Sequence, residues 1–379
     1  MKNTLLITQD FPPVKGGVST SLWNFFSYFP KKGSFVLTSE SIMKFNESPN
    51  IVRKKLFFST GYFWPKWLPS FFHTLKFVKR YKIDLIQVGQ ILPFGTICLI
   101  LRKFIAVNFI TFVYGQDLLI NTGRWFKMYL IKKILQKSKY IVANSNFTKQ
   151  IVVSLGVDKE KIIVAYPCPK LQNTNIDSNN LKNFKNNHNL VNKRVVLTVG
   201  NLVKRKGHQS VISLLPRLIK KFPNLIYLIV GDGPEKRNIE NTIKLLKLEK
   251  NVCLLGRVSD ELLPLIYTVS NFFIMPIKNI KNIYGNTIDA EGFGLVFLEA
   301  ALYGKTSLST ISGGVGEAII NGKTGILVNQ NNTNELYSAM LYLLQNQEKC
   351  TTLGLNAKKR LFNEFNPMVQ SNKILAISK

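Results

Sequence analysis

Short, almost wholly apolar runs recur along the chain and alternate with longer stretches whose apolar residues return every three or four positions. Residues 5–8 predict a buried strand that ends at the loop DFPPVKGGVS. A helix is predicted to start near Ser19 and to turn Leu22, Phe25 and Phe26 inward. Residues 35–38, 84–88, 108–112, 140–143 and 161–164 predict further strands, with helical stretches between most of them. A second series follows. Strands are predicted at 194–199, 225–230, 251–254, 272–275, 307–309 and 326–328, and helices at 210–221, 239–246, 261–267, 295–302 and from Asn334 to about Phe365. Apolar strands alternating with helices imply parallel sheets covered on both faces. The fold class is therefore α/β, with two Rossmann-like doubly wound domains and a cleft expected between them.

Between the two series, residues 171–192 are polar, Asn-rich and poor in apolar side chains, and read as a linker or exposed loop. The expected division is 1–170, a linker at 171–192, a second domain at 193–360, and a C-terminal helix at 361–379 returning to the first domain. The length of 379 residues suits two domains of roughly 150–200 residues each. The longest apolar stretch, 91–101, has eleven residues before Arg102 and Lys103 interrupt it. It is too short to span a bilayer and reads as a buried helix followed by the strand at 108–112. The N-terminal apolar run is short and is ended by Asp10 and two prolines, which does not suit a signal peptide.

Charge adds a surface property to this outline. The formal net charge is +30, from 51 Lys and Arg against 21 Asp and Glu. Residues 1–170 carry 25 basic and 7 acidic side chains, residues 171–379 carry 26 and 14, so the first half is the more basic. Such a balance favours a polyanion or an anionic membrane surface, although Lys-rich composition alone also produces it. Cys98, Cys168, Cys253 and Cys350 form no CxxC pair and suit free thiols in a reducing compartment. His73, His188 and His208 are far apart and give no metal signature.

Candidate chemistry sits where strands end. Gly16-Gly17 follows the first strand, Gly200 to Gly207 (GNLVKRKG) the first strand of the second series, and Gly231-Asp232-Gly233-Pro234 the next. Amides in such turns hold phosphate, and ordinary strand–helix turns use glycine as well. Neither GxGxxG after the first strand nor GxxxxGK[ST] is present. Lys204-Arg205-Lys206 beside a glycine turn suits a diphosphate, or else a solvated basic loop. In EGFGLVFLE, Glu291 precedes a helix start and Glu299 falls in its second turn, so two carboxylates could hold different hydroxyls of one ligand. A cap and a surface helix residue are the alternative. SGGVGE, from Ser312 to Glu317, is another tight loop after a strand.

Together these segments resemble the GT-B glycosyltransferases, most closely the retaining group called family 4, over nearly the whole chain. VGNLVKRKG, LIVGDGP, VCLLGRVSDELLPLIYTVSNFFIMP, EGFGLVFLEA and SGGVGEAIINGKTGILV occur in the family's order, and DFPPVKGG and ANSNFTKQ match its first-domain pattern. The resemblance implies transfer of a hexosyl unit, glucose, mannose or similar, from a UDP- or GDP-linked donor. The acceptor would be a lipid-linked sugar or polysaccharide in cell-surface glycan synthesis, including lipopolysaccharide. It implies no cofactor or metal and no nucleic-acid partner. A nucleotide-sugar epimerase of the same fold and a non-catalytic sugar-nucleotide or membrane-binding protein are the competing readings.

The resemblance gives Glu291 the donor sugar hydroxyls and Glu299 the ribose. The backbone of Phe293, Gly294 and Leu295 would face sugar and phosphate. Lys206 would bind the diphosphate with Arg205, near the glycines Gly16 and Gly17. Arg257 and Val258 would border the base, and Asp232 and Gly233 the rim. Asn201 stands where the family usually has an arginine. Gln116 stands where many members have a histidine near the transferred sugar; it can hydrogen-bond but cannot become a cation. Tyr166-Pro167-Cys168-Pro169 replaces a Pro-Asn-Gly-Val-Asp type of segment.

Residues 56–81, LFFSTGYFWPKWLPSFFHTLKFVKRY, mix Trp64, Trp67, Phe71 and Phe72 with Lys66, Lys76, Lys79 and Arg80. The mixture suits docking on anionic headgroups, or a helix whose aromatics pack in the core. The first reading places the protein in the cytoplasm, peripheral on the inner face of the cytoplasmic membrane.

Overall fold

A computed structural model of the chain describes residues 3–41, 48–59, 64–171 and 176–378. Parts of two predicted segments, residues 60–63 of 56–81 and 172–175 of 171–192, lie outside them. The chain forms two compact units, Met1–Pro169 with Phe365–Lys379, and Lys170–Glu364.

The first unit holds strands β1 (Thr4–Thr8), β2 (Ser34–Ser39), β3 (Ile51–Lys54), β4 (Leu85–Val88), β5 (Asn108–Val113), β6 (Ile141–Ala143) and β7 (Ile162–Val164). They make one parallel sheet in the order β3-β2-β1-β4-β5-β6-β7. All five residues of β1 are buried. Leu5 and Ile7 enter the core on one face and Leu6 the core on the other. A strand covered on both sides has no polar face to show, which is why its sequence does not alternate. The helices Leu68–Arg80, Thr96–Leu101 and Trp125–Lys137 pack over the Leu5 face. The C-terminal helix Pro367–Ser378 packs on the helix Gly17–Phe26 over the Leu6 face, with Ile374 fully buried.

The second unit holds β8 (Arg194–Val199), β9 (Leu225–Val230), β10 (Val252–Gly256), β11 (Phe272–Met275), β12 (Ile280–Lys281), β13 (Thr287–Asp289), β14 (Ser307–Thr310) and β15 (Gly325–Val328). Six of these form a parallel sheet in the order β10-β9-β8-β11-β14-β15, and β12 pairs with β13 antiparallel.

Several elements differ from expectation. The polar stretch read as a linker holds a helix, Ser178–Asn187, so the second unit begins well before residue 193. The Asp177 carboxylate caps it by accepting from the N–H groups of Asn179 and Asn180. Phe184 is its one buried side chain, and the helix packs on Leu263–Val269. A single buried aromatic in an Asn-rich run carries too little periodicity to predict a helix. The helix expected at 210–221 is two, His208–Ile212 and Leu215–Ile219, because Pro216 cannot donate into a continuous ladder. The long C-terminal helix breaks at Asn346 into Thr333–Gln345 and Gln347–Glu364. The apolar run at 91–101 forms a π-turn, Ile91–Gly95, and the short helix Thr96–Leu101. Among the described residues no helix is long and apolar enough to cross a membrane.

Candidate active site

Strand β8 ends at Val199, and the chain turns through Gly200 into the 3-10 turn Lys204–Lys206. The turn after β9 braces this loop backbone to backbone. A Cβ on Gly231 would lie 1.9 Å from the Gly200 carbonyl oxygen, and one on Gly233 would lie 2.5 Å from that of Leu202. Only glycine permits such approaches. The N–H of Leu202 donates to the Asp232 carbonyl at 3.0 Å, and the Asp232 carboxylate accepts from the Gly233 N–H at 2.9 Å. Asp232 and Gly233 thus shape the basic loop from behind.

The loop after β13 is clamped in the same way. Gly314 donates to the Glu291 carbonyl at 2.9 Å, and a Cβ on Gly313 would sit 2.0 Å from that oxygen. The SGGVGE segment therefore fixes the backbone that carries Glu291. Gly294, at φ +94°, turns this loop into the helix Leu295–Leu302. Phe293 and Leu295 are buried, so they anchor the loop and leave its amides at the helix start.

These two loops meet at Glu291. Its Oε2 accepts from Lys206 Nζ at 2.7 Å and from the Arg205 guanidinium. Arg205 Nε also lies 3.1 Å from Asp289 Oδ1. Burial alone would raise the Glu291 carboxyl, but the Lys206 and Arg205 charges and their hydrogen bonds hold it down at about 2. Glu291 is ionised, as a buried carboxylate with two cations must be. Burial lowers Lys206, and Glu291 pulls it back up.

Glu299 lies in the second turn of the helix Leu295–Leu302, eight residues after Glu291, and has a different environment. It accepts from the Tyr267 hydroxyl at 3.0 Å. The Tyr267 ring lies flat on Tyr303, with centroids 5.3 Å apart and planes 5° apart. Burial raises the Glu299 carboxyl, and the Tyr267 bond only partly offsets it. The two carboxylates are thus tuned in opposite directions, one locked to cations and one held by a neutral hydroxyl.

The family model described as Glycosyl transferases group 1 matches residues 180–360, and the model described as Glycosyltransferase Family 4 matches residues 15–170. The chain belongs to the family-4 glycosyltransferases of GT-B fold. A GDP-mannose-dependent alpha-(1-6)-phosphatidylinositol monomannoside mannosyltransferase of Mycolicibacterium smegmatis is 23% identical over 366 residues, 93% of this chain and 91% of that one. HepE of Anabaena, solved with UDP and glucose, superposes with a TM-score of 0.79 at 17% identity over 99% of both chains. A sucrose-phosphate synthase from Thermosynechococcus elongatus reaches 0.81 at 19% identity, over 100% of this chain and 98% of that one.

In this glycosyltransferase the predicted residues divide between the units. Arg205, Lys206, Glu291, Phe293, Gly294, Leu295 and Glu299 come together in the second. There Asn201 and Arg257 expose their side chains, and Val258 is half-buried. Gly16, Gly17 and Gln116 belong to the first unit. Gly16 and Gly17 are exposed at the start of the helix Gly17–Phe26, where a Cβ on Gly16 would meet nothing within 4 Å. Gln116 is exposed at the start of the short helix Gln116–Leu119. Its neighbour Asp117 holds that turn, accepting from the N–H groups of Tyr114 at 3.2 Å and Leu118 at 3.1 Å. Burial pushes the Asp117 carboxyl up to about 7.

Arg205 sits differently from expectation. Its guanidinium is enclosed and occupied by two carboxylates, which makes it a positioning group for Glu291 rather than an open anion ligand. The sequence pattern assigns no role to Asp289 or Tyr267. Asp289 lies two residues before Glu291 in the EGFG approach, which was the available signal. Tyr267 lies 32 residues from Glu299 and offers none.

Tyr267→Phe tests the second carboxylate. Losing the hydroxyl frees Glu299 to turn, while the stacked ring is kept. The expected result is a rise of about tenfold in donor KM with kcat within about twofold, on the order of one charge-assisted hydrogen bond. Steady-state kinetics with varied donor reads it, and an unchanged KM contradicts the role.

Proposed function

We propose that this glycosyltransferase is a retaining hexosyltransferase. It moves a sugar such as glucose or mannose from a UDP- or GDP-linked donor to a lipid-linked or polysaccharide acceptor in cell-surface glycan synthesis, working at the cytoplasmic face of a membrane. The observation that carries this reading is Glu291 fixed between Arg205 and Lys206, with Glu299 eight residues on in the following helix. The mannosyltransferase relative, named for GDP-mannose and a phosphatidylinositol acceptor, and HepE, solved with UDP and glucose, support the substrate classes.

In this reading the second unit holds the donor. Glu291, kept ionised, accepts hydrogen bonds from the sugar hydroxyls, and Glu299 accepts them from the ribose. An ammonium has three N–H donors. Lys206 gives one to Glu291 and offers the others to the diphosphate. Amides at the start of the helix Leu295–Leu302 face negative charge as it develops. Asn201, in place of an arginine, supplies a neutral hydrogen bond, which leaves Lys206 as the main cation on the leaving group. Gln116 hydrogen-bonds the transferred sugar without charge.

The bond between the anomeric carbon and the diphosphate oxygen breaks, and the bond to the acceptor oxygen forms on the same face. The acceptor's proton passes to the departing phosphate. Glu291 does not attack the sugar, since it is held by two cations and its nucleophilicity is correspondingly low. This separates the mechanism from retaining hydrolases with their nucleophile and acid pair.

The test is the anomeric configuration of the first-formed product, read by proton NMR during turnover. Retention of the donor's configuration is the expected result. An inverted product overturns the mechanism.

A further inference from the structure

In the first unit the helix Thr96–Leu101 packs between Leu68–Arg80 and Trp125–Lys137, and all three lie in one layer over the Leu5 face of the sheet. Their inward residues are Phe77 and Val78, Ile97 and Leu101, and Ile131, Ile134 and Leu135. Segment 56–81 is divided by this packing: Trp67 and Phe71 lie against the core, while Trp64 is 90% exposed and Phe72 57%.

The helix Trp125–Lys137 goes further in the same direction. Trp125 is 80% exposed, Phe126 60% and Tyr129 60%, and Ile120 just before it is 56% exposed. Lys132, Lys133 and Gln136 continue the exposed stripe at helical spacing, opposite Ile131, Ile134 and Leu135. Lys133 reaches over the Tyr129 ring at 5.8 Å. One helix face is therefore aromatic at its start and cationic toward its end. Such rings in water are unfavourable unless something covers them.

Charge decides what covers them. From residue 48 to 157 the sequence holds 17 Lys and Arg against two acidic residues, Asp84 and Asp117. The Asp84 carboxylate accepts from the Asn3 N–H, and that of Asp117 is turned onto its own loop. A surface of exposed aromatics among predominantly basic side chains matches the interfacial zone of an anionic bilayer, where rings sit at headgroup depth and Lys and Arg are drawn to the headgroups.

Topology places this patch. β5 ends at Val113, and the helix Trp125–Lys137 is part of the crossover to its parallel neighbour β6. Trp125 and Phe126 therefore stand at the edge where the strands present their carboxyl ends. Ligands of such sheets bind at that edge, and Gly16, Gly17 and Gln116 lie there too, after β1 and β5.

We propose that Ile120, Trp125, Phe126 and Tyr129, with Arg124, Lys127, Lys132 and Lys133, form a membrane-docking surface for anionic lipid headgroups. It sets the carboxyl-end edge of the first unit against the bilayer, where a lipid-linked acceptor presents its sugar. This deepens the proposed function, resting on its membrane-borne acceptor, and moves the anchor from 56–81 to the helix Trp125–Lys137.

The test is co-sedimentation of the full chain with phosphatidylglycerol-containing vesicles and with phosphatidylcholine vesicles. Two variants are compared, W125S/F126S/Y129S and K127Q/K132Q/K133Q. All six side chains are exposed, and unchanged thermal unfolding confirms folding. Wild type should bind the anionic vesicles, in a salt-sensitive way, at least about tenfold more tightly than the neutral ones. Each variant should lose at least about tenfold. Wild type that ignores anionic vesicles, or variants that bind like wild type, overturn the docking surface. Nucleoside diphosphate release from donor alone, measured in parallel, reports on the transferase reading separately: the variants should retain it, and its presence without vesicle binding removes only the docking proposal.

Discussion

Glu291→Gln lowers kcat for sugar transfer by on the order of 10³-fold. Glutamine keeps the shape and a hydrogen-bonding oxygen but removes the charge that binds Arg205 and Lys206. Two effects add. The donor sugar loses an ionised acceptor for its hydroxyls, and Lys206 loses the partner that aims it. Losses of this order accompany removal of one preorganised electrostatic contact in an enclosed site. Stability reports the same geometry independently. Breaking a buried pair leaves cations without their carboxylate, at a cost of about 3 kcal/mol, although Asp289 remains beside Arg205 and moderates it.

The pH dependence of stability has a definite sign. Glu291 is held at about 2 in the folded protein, below its ordinary 4.5. It contributes stability above pH 4.5 that is lost as the pH falls through 2. The E291Q protein should therefore be less stable near neutrality and show a shallower acid limb, measurable by urea unfolding across pH. Near-normal turnover by that variant would remove Glu291 from the mechanism.

Lys206→Ala gives the second large effect. Lys206 is the one cation of the KRK run that is both enclosed and equipped with N–H donors beyond its bond to Glu291. Lys204 is exposed, and Arg205 is committed to Asp289 and Glu291. In the proposed reading, with Asn201 in place of a second cation, neither Lys204 nor Arg205 substitutes for Lys206. The expected loss is about 10²–10³ in kcat, with the nucleoside diphosphate also binding more weakly. Calorimetric titration with UDP and GDP alongside donor kinetics checks both. Arg205→Lys separates the positioning role from the ligand role. A shorter side chain ending in a point-like ammonium lacks the planar fork that spans Asp289 and Glu291, so kcat should fall although the charge is kept.

How much of this was legible in the sequence follows from where the information lies. Strands such as β1 and β9 are buried on both faces, so their apolar runs announce them. The EGFG turn and the KRK loop are local, and glycine marks them because neighbouring backbones pass too close for a Cβ. β3 has a charged end in Arg53-Lys54, and β12 and β13 form a short, half-buried hairpin of two and three residues, so neither carries a periodic signal. The helix Ser178–Asn187 rests on Phe184 and a cap. The site's decisive contacts join residues far apart in sequence: Lys206 to Glu291 across 85 positions, and Tyr267 to Glu299 across 32. The sequence pattern shows the first pair only as two separate loops of the second series. It could not show that Glu291 holds Arg205 and Lys206, or that Tyr267 holds Glu299, because tertiary packing sets both.

The exposed face of Trp125–Lys137 was also illegible as a surface. WFKMYLIKKILQK mixes apolar and basic residues throughout, and only the packing of Ile131, Ile134 and Leu135 shows which side is out.

The central claim is that this chain takes a sugar from a nucleotide donor through Glu291 and Lys206. The most direct measurement is release of nucleoside diphosphate by purified wild type from a panel of UDP- and GDP-hexoses, with and without a membrane extract. The account predicts release from at least one donor, accelerated by the extract and abolished in E291Q. No release from any donor under either condition, or equal release by wild type and E291Q, contradicts it.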